Sequence, residues 1–173
     1  MNILITGKDG IAQGIANAYV DHNITFASRS TGMDIQNIHI WGELFLQFDM
    51  VFNCAYHNWD QVKVLEFFAN NWQKQSNKTI VNIGSKLVDH ARIERSIDRN
   101  YFPYRIHKQA LQNAVTTISD NCDCRIVLIN PGAVDTDLIR HLDNVNKMDP
   151  DYLGKQIRNI LSVPEIRRVD LWQ

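Results

Sequence analysis

The chain has 173 residues, 45% of them hydrophobic and 21% charged, with a formal net charge of -1. That length suits one domain with a sizeable core, and the balanced charge excludes a basic face for nucleic acid or an anionic membrane. No apolar run approaches the ~20 residues of a membrane-spanning helix. The opening residues MNILITGKDG carry no signal-peptide pattern. Cys54, Cys122 and Cys124, without Cys-x-x-Cys spacing, read as reduced thiols of a cytoplasmic protein. The six histidines (22, 39, 57, 90, 107 and 141) lack metal-ligand spacing, so no metal is expected.

Residues 2–6, NILIT, are a continuous apolar run ending at Gly7, the pattern of a buried strand. GIAQGIANAYV (10–20) follows, with Ile11, Ile15, Ala18 and Tyr19 at helical spacing. ITFAS (24–28) is a second strand, and the stretch 34–48 is expected to be helical in its second half. MVFNCA (50–55) is a third strand, 59–73 a helix and TIVNIG (79–84) a fourth strand, whereas 85–103 shows no clear period. A helix is expected over 104–120, a strand at RIVLIN (125–130), a helix over 150–162 opened by Pro150, and a last strand at 167–172. Continuous apolar strands alternating with helices predict an α/β fold: a doubly wound, mostly parallel sheet with helices on both faces, in one domain spanning 1–173. Such sheets bind ligands beyond the carboxyl ends of their strands.

Unusual residues follow nearly every strand. In TGKDGIA, Gly7 and Gly10 permit a tight turn that lets a diphosphate approach the backbone of Lys8, Asp9 and Ile11 at a helix N-terminus. A third glycine in fingerprint register is missing, and Gly14 is out of step. After the second strand comes Arg29, where an acidic residue would bind the ribose 2′-hydroxyl of NAD; an arginine suits the 2′-phosphate of NADP. NCAY (53–56) closes the third strand, Ser85 follows the fourth, and PGAVDTDL follows 125–130. Tyr104 stands four residues before Lys108, on one helix face. A free phenol titrates at about 10. A neighbouring ammonium and a helix N-terminus both favour the phenolate, so the pair reads as a proton donor with its pKa-lowering partner.

Taken in order, TGKDGIA, NCAY, IVNIGS, YRIHK and NPGAVDTDL resemble the short-chain dehydrogenase/reductase family along nearly the whole chain. The resemblance implies hydride transfer between a nicotinamide cofactor and a small carbonyl or alcohol. Tyr104 would protonate the carbonyl oxygen, Ser85 would hold it, and Lys108 would bind the nicotinamide ribose and tune Tyr104. It also implies cofactor contacts from Gly7, Lys8, Asp9, Gly10 and Ile11 at the diphosphate, Arg29 at the adenosine phosphate and Asp34 beside the adenine. Asn53, Ala55, Pro131, Gly132, Val134 and Thr136 complete the implied cofactor set, with NADP preferred over NAD. The family's helix asparagine has no clear counterpart, Asn58 being nearest to its region. A weak or inactive nucleotide sensor or scaffold is one alternative. A nucleotide-sugar reductase is another, suggested by the TGxxG spacing and the direct passage from SRS to MDI. The substrate is not legible, because 86–103 and 135–149 carry no chemical signature.

The 59–73 helix carries Trp59, Val62, Val64, Leu65, Phe67, Phe68, Ala69 and Trp72, more than the single apolar stripe a sheet-covering helix needs. With Ala110, Leu111, Ala114, Val115 and Ile118 on 104–120, this predicts a homodimer or homotetramer through the two helices. His107 reads as a helix-surface residue, and Trp59 and Trp72 as packing.

Overall fold

The apolar runs become strands β1 (Asn2–Thr6), β2 (Asn23–Ala27), β3 (Met50–Asn53), β4 (Thr79–Ile83), β5 (Arg125–Pro131) and β6 (Arg168–Leu171). Helices α1 (Ile11–Ala18), α2 (Asp60–Trp72), α3 (Tyr101–Ser119) and α4 (Pro150–Leu161) connect them. The computed structural model describes residues 1–88, 101–143 and 145–171. The stretch 86–103, expected to help choose the substrate, therefore lies largely outside the described residues. So does Asn144 of the stretch 135–149.

The strands form one sheet in the order β2-β1-β3-β4-β5-β6, and every neighbouring pair is parallel. The chain leaves β1 for β2 on one side and returns to β3 on the other. That reversal creates a crevice at the strand ends between β1 and β3, the place where open α/β sheets bind ligands. Successive side chains alternate between the two faces. Leu4, Val51, Ile80, Ile126 and Leu128 join α2 and α3 in one core. Ile3, Ile5, Phe52, Val81, Val127 and Ile129 join α1 and α4 in the other.

Two expectations change here. Residues 34–48 do not form an α-helix but the 3-10 turns Ile35–Ile40 and Gly42–Gln47, the first interrupted by non-helical Asn37 (φ -107, ψ 24). These turns carry Ile35, Ile38, Trp41, Phe45 and Phe48 onto the same core as Val64, Leu65, Phe68, Ala69 and Trp72 of α2. Much of the aromatic arc of α2, read from sequence as a surplus face, is thus covered by the chain itself. Trp72 is fully buried, while Trp59, just before the helix, stays 48% exposed. Second, α3 starts at Tyr101, earlier than expected, and Pro103 and Tyr104 both fall in its first turns.

Gly14 also finds its purpose. A Cβ there would lie 2.0 Å from the Pro150 carbonyl oxygen, and one on Gly154 would lie 2.0 Å from the carbonyl oxygen of Gly14. The two glycines let α1 and α4 cross in backbone contact. Arg158 locks the crossing with two 2.8 Å bonds to the Asp21 carboxylate. The out-of-step glycine therefore serves helix packing, not the glycine turn after β1. Gly14→Ala should push the helices apart and lower stability by about 1–3 kcal/mol, the usual cost of overpacking. Urea unfolding reads this directly, and an unchanged midpoint would contradict the close crossing.

Candidate active site

The strand ends are shaped first by backbone. Gly7 (φ 86) and Gly10 (φ 55) adopt the left-handed region that favours glycine. Gly7 N–H donates to the Ala27 carbonyl at 2.7 Å, fastening the turn to the end of β2. Thr6, fully buried, accepts at Oγ1 from the N–H groups of Cys54 (2.8 Å) and Ala55 (3.0 Å), which ties the end of β3 to the same turn. Thr6 opens TGKDGIA, but the motif alone gave it no role. The N-terminus of α1 has no side-chain cap, so its first amides remain suited to an anion.

A cavity of about 330 Å³ opens over this turn. It gathers the expected Gly7, Lys8, Asp9, Arg29, Asp34 and Ala55, and adds Gln36, Tyr56 and His57. Arg29 is exposed on its wall and makes no ion pair among the described residues. Asp34 uses one carboxylate oxygen to accept from Gln36 N–H at 3.1 Å, capping the turn that follows. His57 Nδ1 lies 2.7 Å from Asp60. Burial pushes the Asp60 carboxyl upward, but hydrogen bonds from Lys63 and His57 outweigh it and hold the group below its ordinary value.

Other expected cofactor residues are placed differently. Asn53 is fully buried, and its amide donates to Gln61 O (2.7 Å) and Asn82 Oδ1 (2.9 Å). It braces the site from inside and does not line the cavity. Pro131 and Val134 are buried, and Val134 pairs with Met148 in a short parallel bridge. Gly132 N–H donates to Leu171 O at 2.8 Å. Thr136 is brought onto the glycine turn, where a Cβ on Gly10 would meet its Cγ2 at 2.8 Å. Ile11 opens α1 just beyond that contact.

Ser85, Tyr104 and Lys108 converge. Ser85 stands just past β4, where its Oγ accepts from Leu87 N–H at 3.2 Å. Lys108 is 3% exposed, and its Nζ donates to Gln61 Oε1 and to the Ile83 carbonyl, each at 2.7 Å. Nζ also sits 5.5 Å from the centre of the Tyr104 ring. Gln61, itself 3% exposed, is the residue that sequence reasoning missed. Its Nε2 donates to Asn53 O (2.8 Å) and Ile83 O (3.3 Å). Asn58, with a φ of 44, instead lies on an exposed turn beside His57, 3.4 Å from its Nε2.

The electrostatics correct one expectation. Lys108 was expected to lower the Tyr104 pKa. Burial raises the phenol to about 12, with a hydrogen bond from Ser85 pulling it back and Tyr56 and Tyr101 pushing it up. Burial likewise lowers Lys108 to about 7. A lysine near half charge, with its donors directed at Gln61 and Ile83, does little to stabilise a phenolate.

No protein-family model matches the chain, and no curated protein matches it in sequence. Solved structures match its fold along nearly its whole length. A short-chain dehydrogenase from Burkholderia cenocepacia in complex with NADP aligns with a TM-score of 0.78 at 14% identity, covering 99% of this chain and 88% of that one. The 3-alpha-hydroxysteroid dehydrogenase from a Pseudomonas species, complexed with NADH, aligns at 0.72 and 16% identity over 98% and 95%. An alcohol dehydrogenase from the archaeon Thermococcus sibiricus, complexed with 5-hydroxy-NADP, aligns at 0.71 and 18% identity over 98% and 95%. The chain has the fold of the short-chain dehydrogenases and reductases.

Proposed function

We propose that this protein is an NADP-dependent oxidoreductase of the short-chain type that reduces a small carbonyl compound. The observation that carries the reading is the convergence of Ser85, Tyr104 and buried Lys108 beside a cavity that joins a glycine turn to Arg29. Tyr56 links the two halves, because it lines the cavity and its ring stands edge-on to Tyr104 at 4.8 Å.

The residues fit such a cofactor. Gly7 and Gly10 leave room for a diphosphate over the turn, and Arg29 offers a guanidinium fork to a 2′-phosphate. In its charged form a lysine has three N–H donors. Gln61 and Ile83 take two from Lys108, which leaves one for a ribose hydroxyl. The nicotinamide, when bound, supplies the hydride. Tyr104, kept protonated by burial, gives its proton to the oxygen that becomes the alcohol, while Ser85 Oγ holds that oxygen by a hydrogen bond. A phenol held in its acid form favours the carbonyl-reducing direction.

NADPH oxidation across a carbonyl panel tests the reading, with NADH run in parallel. Tyr104→Phe should lower turnover by at least about a hundredfold, the scale of a lost general acid, with cofactor binding nearly intact. Full turnover in that variant would sink the mechanism, and NADPH binding without turnover of any carbonyl would mark a nucleotide-binding module. Arg29→Ala should cut the preference for NADPH; an unmodified protein that binds NADH better would overturn the role given to Arg29.

The charge of Lys108 also predicts a pH dependence. Its folded pKa of about 7 lies below its ordinary value of 10.5, so the unfolded chain holds more protons between them. Stability linked to Lys108 is complete above the ordinary value and is lost as pH falls through about 7. Raising the pH from about 7 to 8.5 should add on the order of 1 kcal/mol to unfolding free energy. Lys108→Met should lack that gain, and equal slopes in the two proteins would contradict a buried, partly neutral lysine.

For the assembly we infer a homodimer through the start of α3. Trp59 (48% exposed), Phe102 (48%) and Ile106 (57%) line one groove there. Sedimentation should show a dimer at micromolar concentration and a monomer for Ile106→Glu; a monomeric unmodified protein would exclude this contact.

A further inference from the structure

Every reduction that draws its proton from Tyr104 leaves a phenolate that must be refilled from water before the next turnover. The protein contacts of Lys108 give that proton no route in from solvent. It is buried, and its bonds run to the Gln61 amide oxygen and the Ile83 carbonyl, both of which only accept. Gln61 is itself buried, so that side of the network leads into the core.

The opposite side leads outward. Tyr56, at the end of β3, is 36% exposed and stacks edge-on to Tyr104 at 4.8 Å between ring centres. Its hydroxyl is hydrogen-bonded to His107 Nδ1 at 2.9 Å. His107 lies three residues after Tyr104, so α3 presents both on one face, and Tyr56 spans them. Trp59 also packs edge-on against the imidazole at 4.3 Å. His107 is half-buried and is not among the residues lining the groove assigned to the dimer contact. An imidazole can take a proton at one nitrogen while giving one from the other. Neither residue was credited with chemistry on sequence grounds: Tyr56 stood only as the last residue of NCAY, and His107 as a helix-surface residue.

We propose that Tyr56 and His107 form the proton path that recharges Tyr104. In each cycle water protonates His107 at Nε2, and His107 releases the proton on Nδ1 to the Tyr56 oxygen. Tyr56 in turn passes its own proton to the Tyr104 phenolate, directly or across one water. The sum is one proton moved from solvent to Tyr104, balancing the one given to substrate, and the imidazole returns to its Nδ1–H tautomer by proton exchange with water before the next cycle. The inference rests on the reductase reading above.

The test uses NADPH with 2,3-butanedione, or another panel carbonyl that the unmodified protein reduces, in dilute non-imidazole buffer. His107→Ala should reduce steady-state turnover tenfold or more while leaving the first turnover intact, because Tyr104 starts protonated. Added imidazole should restore most of the loss. Tyr56→Phe should show the same loss without rescue. Turnover in His107→Ala within twofold of the unmodified protein, or a loss that imidazole does not repair, overturns the path. Tyr104→Phe separates the two readings: if it also loses the first turnover while His107→Ala is unaffected, the path fails and the reductase stands. If no panel carbonyl is reduced, both fall together. Independently of any turnover, the nitrogen-15 spectrum of the cofactor-free protein should show His107 Nδ1 moving in Tyr56→Phe. An unmoved resonance denies the hydrogen bond on which the path depends.

Discussion

An ammonium taken out of water costs several kcal/mol unless hydrogen bonds replace its hydration, and the described part of the site is arranged around offsetting part of that cost for Lys108. Its Nζ is held by Gln61 Oε1 and Ile83 O at 2.7 Å each. Gln61 is in turn held by Asn53 O and by the same Ile83 carbonyl, and Asn53 reaches across to Asn82. The knot joins the ends of β3 and β4 to the first turns of α2 and to α3. These are the elements that carry Tyr56, Ser85 and Tyr104. Displacing Lys108 would strand several buried polar groups at once, each costing about 1–3 kcal/mol. The network therefore fixes the geometry of Tyr56, Ser85 and Tyr104 and makes it expensive to leave.

The same economy of contact appears on the other face. Gly14 and Gly154 bring α1 and α4 into backbone contact, which anchors the helix whose uncapped N-terminus faces the glycine turn. At the far edge Asp170 on β6 accepts from Lys86 (3.0 Å) and Asn130 (2.9 Å), joining the residue after Ser85 to the end of the sheet. The glycine turn and Tyr104 are thus set by different packing contacts, yet they meet at one strand-end edge because every strand of the sheet runs parallel.

The sheet was legible because buried parallel strands are continuous apolar runs, and each of the expected strands is present within a residue or two. The Tyr104–Lys108 pair was legible because four-residue spacing survives a shift in where the helix begins. What stayed hidden has physical causes. The 34–48 stretch has helical spacing of Ile35, Ile38 and Trp41, yet its backbone breaks at Asn37 and continues as 3-10 turns. The gain of covering α2 outweighs local regularity there. Gln61 carries no motif, since a glutamine in a first helical turn is ordinary until the fold places a lysine beside it. The direction of the Tyr104 shift also required the structure, because spacing announces a neighbouring charge but not the desolvation that opposes it.

A crystal structure of the protein soaked with NADP tests the central arrangement most directly. The diphosphate should lie over Gly7–Ile11, the adenosine phosphate against Arg29, and the nicotinamide ribose within hydrogen-bond reach of Lys108, with Tyr104 facing the ring. Cofactor density away from the glycine turn, or a nicotinamide directed away from Ser85, Tyr104 and Lys108, would contradict it.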